Sequence, residues 1–246
     1  SSINLLVIVG LVIAFIWLWF LYGIIKKYSH HKPIRILGDL LAPLIETTEA
    51  IGRMPNLMWR LSAVYFFQWY ALFVYWQFIA PMLRENMGLN EEEALAQTGL
   101  MNGTYNAVTM LTALILVPIA LKIGNKWVYV VSLFLTAIAM LCLPFIKDQY
   151  LILLPMLFLG IGWAAMMGIP YAMVSRVIPQ ERRGVYMGIV NMMIVIPMLI
   201  QTVSFGPIVK NLLNDSAVNA ILFAGVFFFL AALFALRLQS SKVIRL

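Results

Sequence analysis

Apolar residues in this chain come in long, nearly uncharged runs rather than in the short alternations of soluble helices and strands. The runs lie at 3–25, 61–83, 98–121, 127–146, 150–175, 185–209 and 217–236. Each reaches the roughly 20 residues that a helix needs to cross about 30 Å of hydrocarbon. Seven membrane-spanning helices are expected, and the fold class is an all-α polytopic membrane protein. The first run is uncharged and is followed by Lys26 and Lys27. A signal peptide would show a basic start, a shorter apolar core and a small-residue cleavage site. The run therefore reads as a true span. The chain opens on Ser1 rather than Met, so a preceding segment is expected.

The connecting segments orient these spans. Segments 26–60, 122–126, 176–184 and 237–246 carry fourteen of the seventeen Lys and Arg residues. Of the Lys and Arg residues, the alternate segments hold only Arg84, Lys147 and Lys210, and they also carry Glu85, Glu91, Glu92 and Glu93. Cytoplasmic loops collect positive charge, so the amino terminus is expected outside and the carboxyl terminus in the cytoplasm of a plasma or bacterial inner membrane.

Composition agrees with this picture. Of 246 residues, 63% are hydrophobic and 11% charged, against about 25% charged in a soluble domain. The net charge of +7 follows from the basic loops, and no nucleic-acid partner is expected. Cys142 is the only cysteine, which excludes disulfides and cysteine metal sites within the chain. The adjacent His30 and His31 read as a solvated linker, and no metal site is expected. In the long segment 26–60, Ile36, Leu37, Leu40, Leu41, Leu44 and Ile45 share one helical face. An amphipathic helix on the membrane surface or against the bundle is expected there.

Polar groups inside spans turn toward protein or a wet cavity, because lipid supplies no hydrogen-bond partner. In the run 98–121, Asn102, Asn106, Thr109 and Ala113 fall on one face, with Tyr105 beside them. In 185–209 and the residues just before it, Gly184, Gly188, Asn191, Met198 and Thr202 do so. The amides read equally well as interhelical glue and as ligand contacts. Gly160, Ala164, Gly168 and Ala172 form a small-residue stripe, and Gly99–Gly103 and Gly184–Gly188 are small-xxx-small pairs that allow close helix approach. Gly184 and Gly188 are accordingly expected to seat their span tightly on a neighbour.

The run 61–83 is crowded with aromatic residues (Tyr65, Phe66, Phe67, Trp69, Tyr70, Phe73, Tyr75, Trp76 and Phe78) and carries Gln68 and Gln77. Interfacial belts place rings at helix ends, yet Trp69, Tyr70 and Phe73 lie in mid-span. Flat rings suit sugar C–H faces and amides suit hydroxyls. Pro118, Pro170 and Pro197 lie well inside three spans, a pattern that bundles tolerate around a cavity. No Asp, Glu, Lys, Arg or His occurs in 98–121, 150–175, 185–209 or 217–236. A proton carrier, where one exists, is not expected in these spans.

The stretch "GIGWAAMMGIPYAMVSRVIPQERRGVYMGIVNMMIVIP" (160–197) resembles the region of the tenth and eleventh helices in the sucrose/maltose-type glycoside:proton symporters of the major facilitator superfamily. The matching positions are Gly160 to Ala164, Pro170 to Ala172, Pro179, Arg182, Gly184 to Ile189, Asn191 and Pro197. "MPNLMWRLSAVYFFQWYALF" (54–73) is similar to the entry to that family's seventh helix. Met198 stands where the family commonly has Gln, Val190 where it has Phe, and Ser175-Arg176 interrupts a small-residue stretch.

The resemblance implies a major-facilitator-type bundle with seven of twelve spans present. On that reading 1–25 is the sixth helix, 26–60 the central cytoplasmic loop, 61–236 the carboxyl-terminal six-helix half and 237–246 a cytoplasmic tail. It implies proton-coupled symport of a di- or oligosaccharide, with the proton gradient as driving force and no cofactor. The partners are sugar, the lipid bilayer and the missing amino-terminal half. Candidate sugar contacts are Gln68, Trp69, Asn102, Tyr105, Asn106, Trp163, Tyr171 and Asn191. Arg182, Gly184, Gly188, Pro170 and Pro197 form a candidate packing and conformational motif. Other carriers of the superfamily (a facilitator or a drug exporter) and a seven-helix receptor remain alternatives. An intramembrane enzyme would need catalytic groupings inside the spans, and none is visible.

Overall fold

The computed structural model describes Trp19, Ala42 and residues 45–238. The expected first span, most of the amphipathic segment and nearly all of the tail lie outside the described residues. The chain divides into two compact units, Ser1–Gly52 and Arg53–Leu246. In the first, residues 45–52 are helical, and the Thr48 hydroxyl donates to the Ile45 carbonyl at 2.8 Å.

The second unit, as far as it is described, is built of helices. They are α1 (Asn56–Met87), α2 (Glu91–Ile123), α3 (Asn125–Cys142), α4 (Leu153–Val174), α5 (Arg183–Leu212) and α6 (Ala217–Ala235), with short 3₁₀ turns at Leu143–Phe145 and Gln180–Arg182. No strand occurs among the described residues. Five of these segments are long and apolar enough to cross a membrane: α2, α3 with its following turn, α4, α5 with its preceding turn, and α6. At 32 residues α1 also has the length. Gln68, Gln77 and its Tyr and Trp residues hold its hydropathy below that of the others.

Helix ends follow local chemistry. The α2 helix starts ahead of its apolar run because Asn90 and Glu93 cap it reciprocally, side chain to backbone, at 2.9 Å each. Glu91, Glu92 and Glu93 in its first turn also oppose the positive end of the helix dipole. Gly88 (φ 69°) ends α1 and Gly124 (φ 89°) separates α2 from α3, in conformations that disfavour a side chain. Asn214 and Asp215, both at positive φ, close the turn into α6. The Asp148 carboxylate accepts from the backbone N–H groups of Tyr150 and Leu151, at 2.9 and 2.8 Å, in the turn that leads to α4. Those two donors, that of Leu151 first, hold its carboxyl below the usual range.

Packing runs around a ring. The main contacts of α1 are with α6 and α5, α6 also packs on α3, α3 on α4, and α4 on α2, which returns to α1. Tyr65, Tyr75 and Tyr129 are completely buried, and the Tyr75 hydroxyl reaches Met156 Sδ on α4 at 3.5 Å. Polar links tie each end of the bundle together. At one end Asn86 donates to the Ile146 carbonyl and Gln97 to that of Gln149. There too, Glu85 accepts from the Ser216 hydroxyl and from the Ala217 N–H, so a carboxylate of α1 caps α6. At the other end Arg60 donates to the Arg237 carbonyl at 2.8 Å.

Of the expected glycine seams, the α4 stripe makes a close approach at Gly160, whereas Gly184–Gly188 makes none. A Cβ on Gly184 or Gly188 would meet nothing within 4 Å. Within the described residues these two glycines therefore seat no neighbour. Their helix turns that face away from the bundle. The close approaches are at Gly160, where a Cβ would come within 2.6 Å of the Tyr105 carbonyl on α2, and at Gly162, where it would collide with the Thr136 hydroxyl on α3. At Gly225 a Cβ would lie 2.7 Å from the Leu141 side chain.

Candidate functional site

Three tryptophans gather where α1 faces α4. Trp69 and Trp76, seven residues apart on α1, share a helix face. Both meet Trp163 of α4 edge-on, with ring centroids 6.0 and 5.8 Å away. Phe73 lies between them, 6.3 Å from Trp69 and 5.2 Å from Trp76. Edge-to-face geometry leaves ring faces free for other apolar groups. Trp69 is buried, Trp163 half-buried and Trp76 38% exposed, so the wall opens along α1.

A polar bridge stands on the same helix, α4. The Tyr171 hydroxyl donates to Asn191 Oδ1 on α5 at 2.6 Å. The pair is accessible rather than sealed in the core, and α4 and α5 do not pack along their lengths. The bond leaves the Asn191 amide N–H groups to donate elsewhere. Between α5 and α1, Gln201 Nε2 donates to Gln77 Oε1 at 2.8 Å.

The remaining expected residues fall in two other places. Gln68 is completely buried, and its amide oxygen accepts the Tyr129 hydroxyl of α3. It faces the interior of the bundle. On α2, Tyr105 is buried, Asn102 half-buried and Asn106 exposed. Asn106 Nδ2 donates back to the Asn102 carbonyl at 2.8 Å, and the Asn102 side-chain oxygen is buried without a hydrogen-bond partner. Thr109 of the same stripe donates to the Gly160 carbonyl at 3.0 Å, joining α2 to α4 at its closest glycine. The structure thus brings Trp69 and Trp163 together, and Tyr171 with Asn191, while Gln68 and the α2 amides stand apart.

Arg182 closes the 3₁₀ turn directly before α5, and Pro170 and Pro197 lie buried inside unbroken helices. Trp76, Phe73 and the Gln77–Gln201 pair belong to the arrangement although the sequence did not single them out as contacts. The signal was the seven-residue spacing of Trp69 and Trp76. A shallow recess lined by Pro81, Arg84, Glu85, Gly88 and Leu89 lies at the far end of α1, away from the tryptophans.

Burial is uneven across the spans. The most apolar stretches of α3, α4 and α6 are 61%, 56% and 44% buried, but those of α2 and α5 only 17% and 22%. Among the described spans, the two helices that carry the amide stripes are the least covered.

Compared with known families, the chain matches the Major Facilitator Superfamily model over residues 2–202 and again over 94–244. No curated protein and no solved structure matches it.

Proposed function

The chain belongs to the major facilitator superfamily, whose members are transporters, and from that premise we propose that it is the carboxyl-terminal portion of a secondary active carrier for di- or oligosaccharides. The observation that carries this reading is the Trp69–Trp163–Trp76 wall with the Tyr171–Asn191 bridge on the same helix. Indole faces pack on the C–H faces of a pyranose, while a hydroxyl and a free amide N–H take its hydroxyls. Trp163, Tyr171 and Asn191 touch the sugar in this reading, and the buried Trp69 holds Trp163 in place. Asn102, Tyr105 and Asn106 flank it on α2, and Gln68 braces the wall from behind through Tyr129.

The open faces of α2 and α5 meet an amino-terminal half, and sugar binds between the two halves near the bilayer midplane. Gly184 and Gly188 then serve that partner rather than a neighbour in this unit. Proton coupling places the titrating carboxylate on the partner, because the described spans carry none at bilayer depth. Apart from the gradient, no cofactor takes part. The basic ends face the cytoplasm of a plasma or bacterial inner membrane. The same lack of carboxylates favours, as a second reading, a facilitator that equilibrates sugar without coupling.

Proteoliposomes holding the complete gene product test this with radiolabelled sucrose and maltose. Accumulation that a protonophore collapses is expected. Asn191→Ala should raise the half-saturation concentration about tenfold, the loss of one or two hydrogen bonds. Equilibration without accumulation supports the facilitator. Absence of uptake of any disaccharide overturns the sugar assignment.

A further inference from the structure

Tyr65, Gln68 and Trp69 stand at i, i+3 and i+4 on α1 and so share one face. That face looks into the bundle: Gln68 meets Tyr129 of α3, Trp69 meets Trp163 of α4, and the rings of Tyr65 and Trp69 touch edge-on at 6.1 Å. Tyr65 and Gln68 are completely enclosed and Trp69 is 4% exposed. Yet Tyr65 Oη, Gln68 Nε2 and Trp69 Nε1 have no hydrogen-bond partner in the protein. Buried polar atoms are almost always paired, with protein or with ordered water. Three orphans within one turn therefore point to a shared partner.

We propose that an enclosed water molecule binds at this turn, held by Tyr65, Gln68 and Trp69. The donor set defines its chemistry. The indole and amide nitrogens only donate, whereas the phenol both donates and accepts. One oxygen that accepts from Gln68 and Trp69 and donates to Tyr65 satisfies all three, and about three partners is usual for a buried water. A sugar hydroxyl has the same donor and acceptor capacity. Complete enclosure of Tyr65 and Gln68 favours water, which needs far less room than a pyranose ring. Through the water, Tyr129, Gln68 and Tyr65 become a continuous hydrogen-bonded chain between α3 and α1, two helices joined chiefly by side chains.

X-ray radiolytic hydroxyl labelling, read by mass spectrometry on the complete gene product in nanodiscs, reports residues beside bound water even where bulk solvent is excluded. Rates are normalised to those of the denatured chain. Tyr65 should be labelled several-fold faster than Tyr75, which is equally buried but bonded to Met156. Equal protection of the two tyrosines overturns the proposal. Labelling of Tyr65 that persists with maltose present assigns the oxygen to water; labelling that maltose abolishes assigns it to the substrate and overturns the proposal. A second arm uses the sign of a stability change. Tyr65→Phe takes one partner from the water and should lower Tm by about 2–4 °C. A raised Tm, as expected for removing an orphan hydroxyl from a dry interior, would overturn it.

Discussion

At the scale of the residue, the glycines separate what spacing reveals from what contact requires. Gly184–Gly188 has the small-xxx-small spacing, but a Cβ at either position enters open space in this unit. Gly225 belongs to no such pair, yet Leu141 side-chain atoms stand 2.7 Å from where its Cβ would be, and the Leu141 nitrogen at 3.1 Å. Overpacking a filled contact costs about 1–3 kcal/mol or more. Gly225→Leu is thus expected to lower the Tm of the chain in detergent, while Gly188→Leu leaves it within a degree or so of the parent. A larger drop for Gly188→Leu would show that this helix face is covered. The spacing was legible because a helix repeats every 3.6 residues. The neighbour was not, because the distance to another helix is a tertiary quantity.

Among the elements, α1 departs furthest from a plain apolar rod. Its aromatic crowding was visible in the sequence, but helical phase alone does not fix whether Tyr65, Gln68, Trp69 and Tyr75 face lipid or protein. In the bundle they face inward, and fifteen of its 32 residues are buried. The contrast between α2 or α5 and α3 is equally a property of the packed unit. All three read as comparable apolar spans, with mean hydropathies of 1.9, 1.9 and 2.3 in their most apolar stretches, while burial there runs from 17% to 61%. A lipid-soluble diazirine probe, applied to the chain in nanodiscs, should therefore label α2 and α5 more heavily per residue than α3. Adding the proposed amino-terminal half should protect α2 and α5 selectively. Heavier labelling of α3 would mean that the helix order around the ring is different.

For the whole molecule, the two ends are chemically distinct. Among the described residues, the end formed by the α1 start, the α2–α3 and α4–α5 junctions and the α6 finish carries Arg53, Arg60, Lys122, Lys126, Arg176, Arg182, Arg183 and Arg237. The other carries only Arg84, Lys147 and Lys210, and it is knitted together by Glu85, Asn86 and Gln97. In a Cys142→Ser background, single cysteines in 87–93 and 176–184 should react with an impermeant maleimide from opposite sides of the membrane. The 87–93 positions should react from outside, because positive loops stay in the cytoplasm. Reaction of both from one side would contradict the alternation of the helices.

The sequence by itself determined the helical class and the alternation of charge between loops. Both depend on one-dimensional quantities: the length of apolar runs against bilayer thickness, and the sign of charge at each junction. It also marked the chemistry in play, with amides on two spans and indoles on a third. Only the tertiary structure decided which of these groups meet. Trp69 and Trp163 stand 94 positions apart in the chain, and Gln68 and Tyr129 are 61 apart. No periodicity along one helix encodes a distance to another. It decided too that Gln68, chosen as a wall residue for its polarity, points inward to Tyr129. The physical reason is that helical phase limits a side chain to one face, while the packing of the other helices selects whether that face meets protein, partner or lipid.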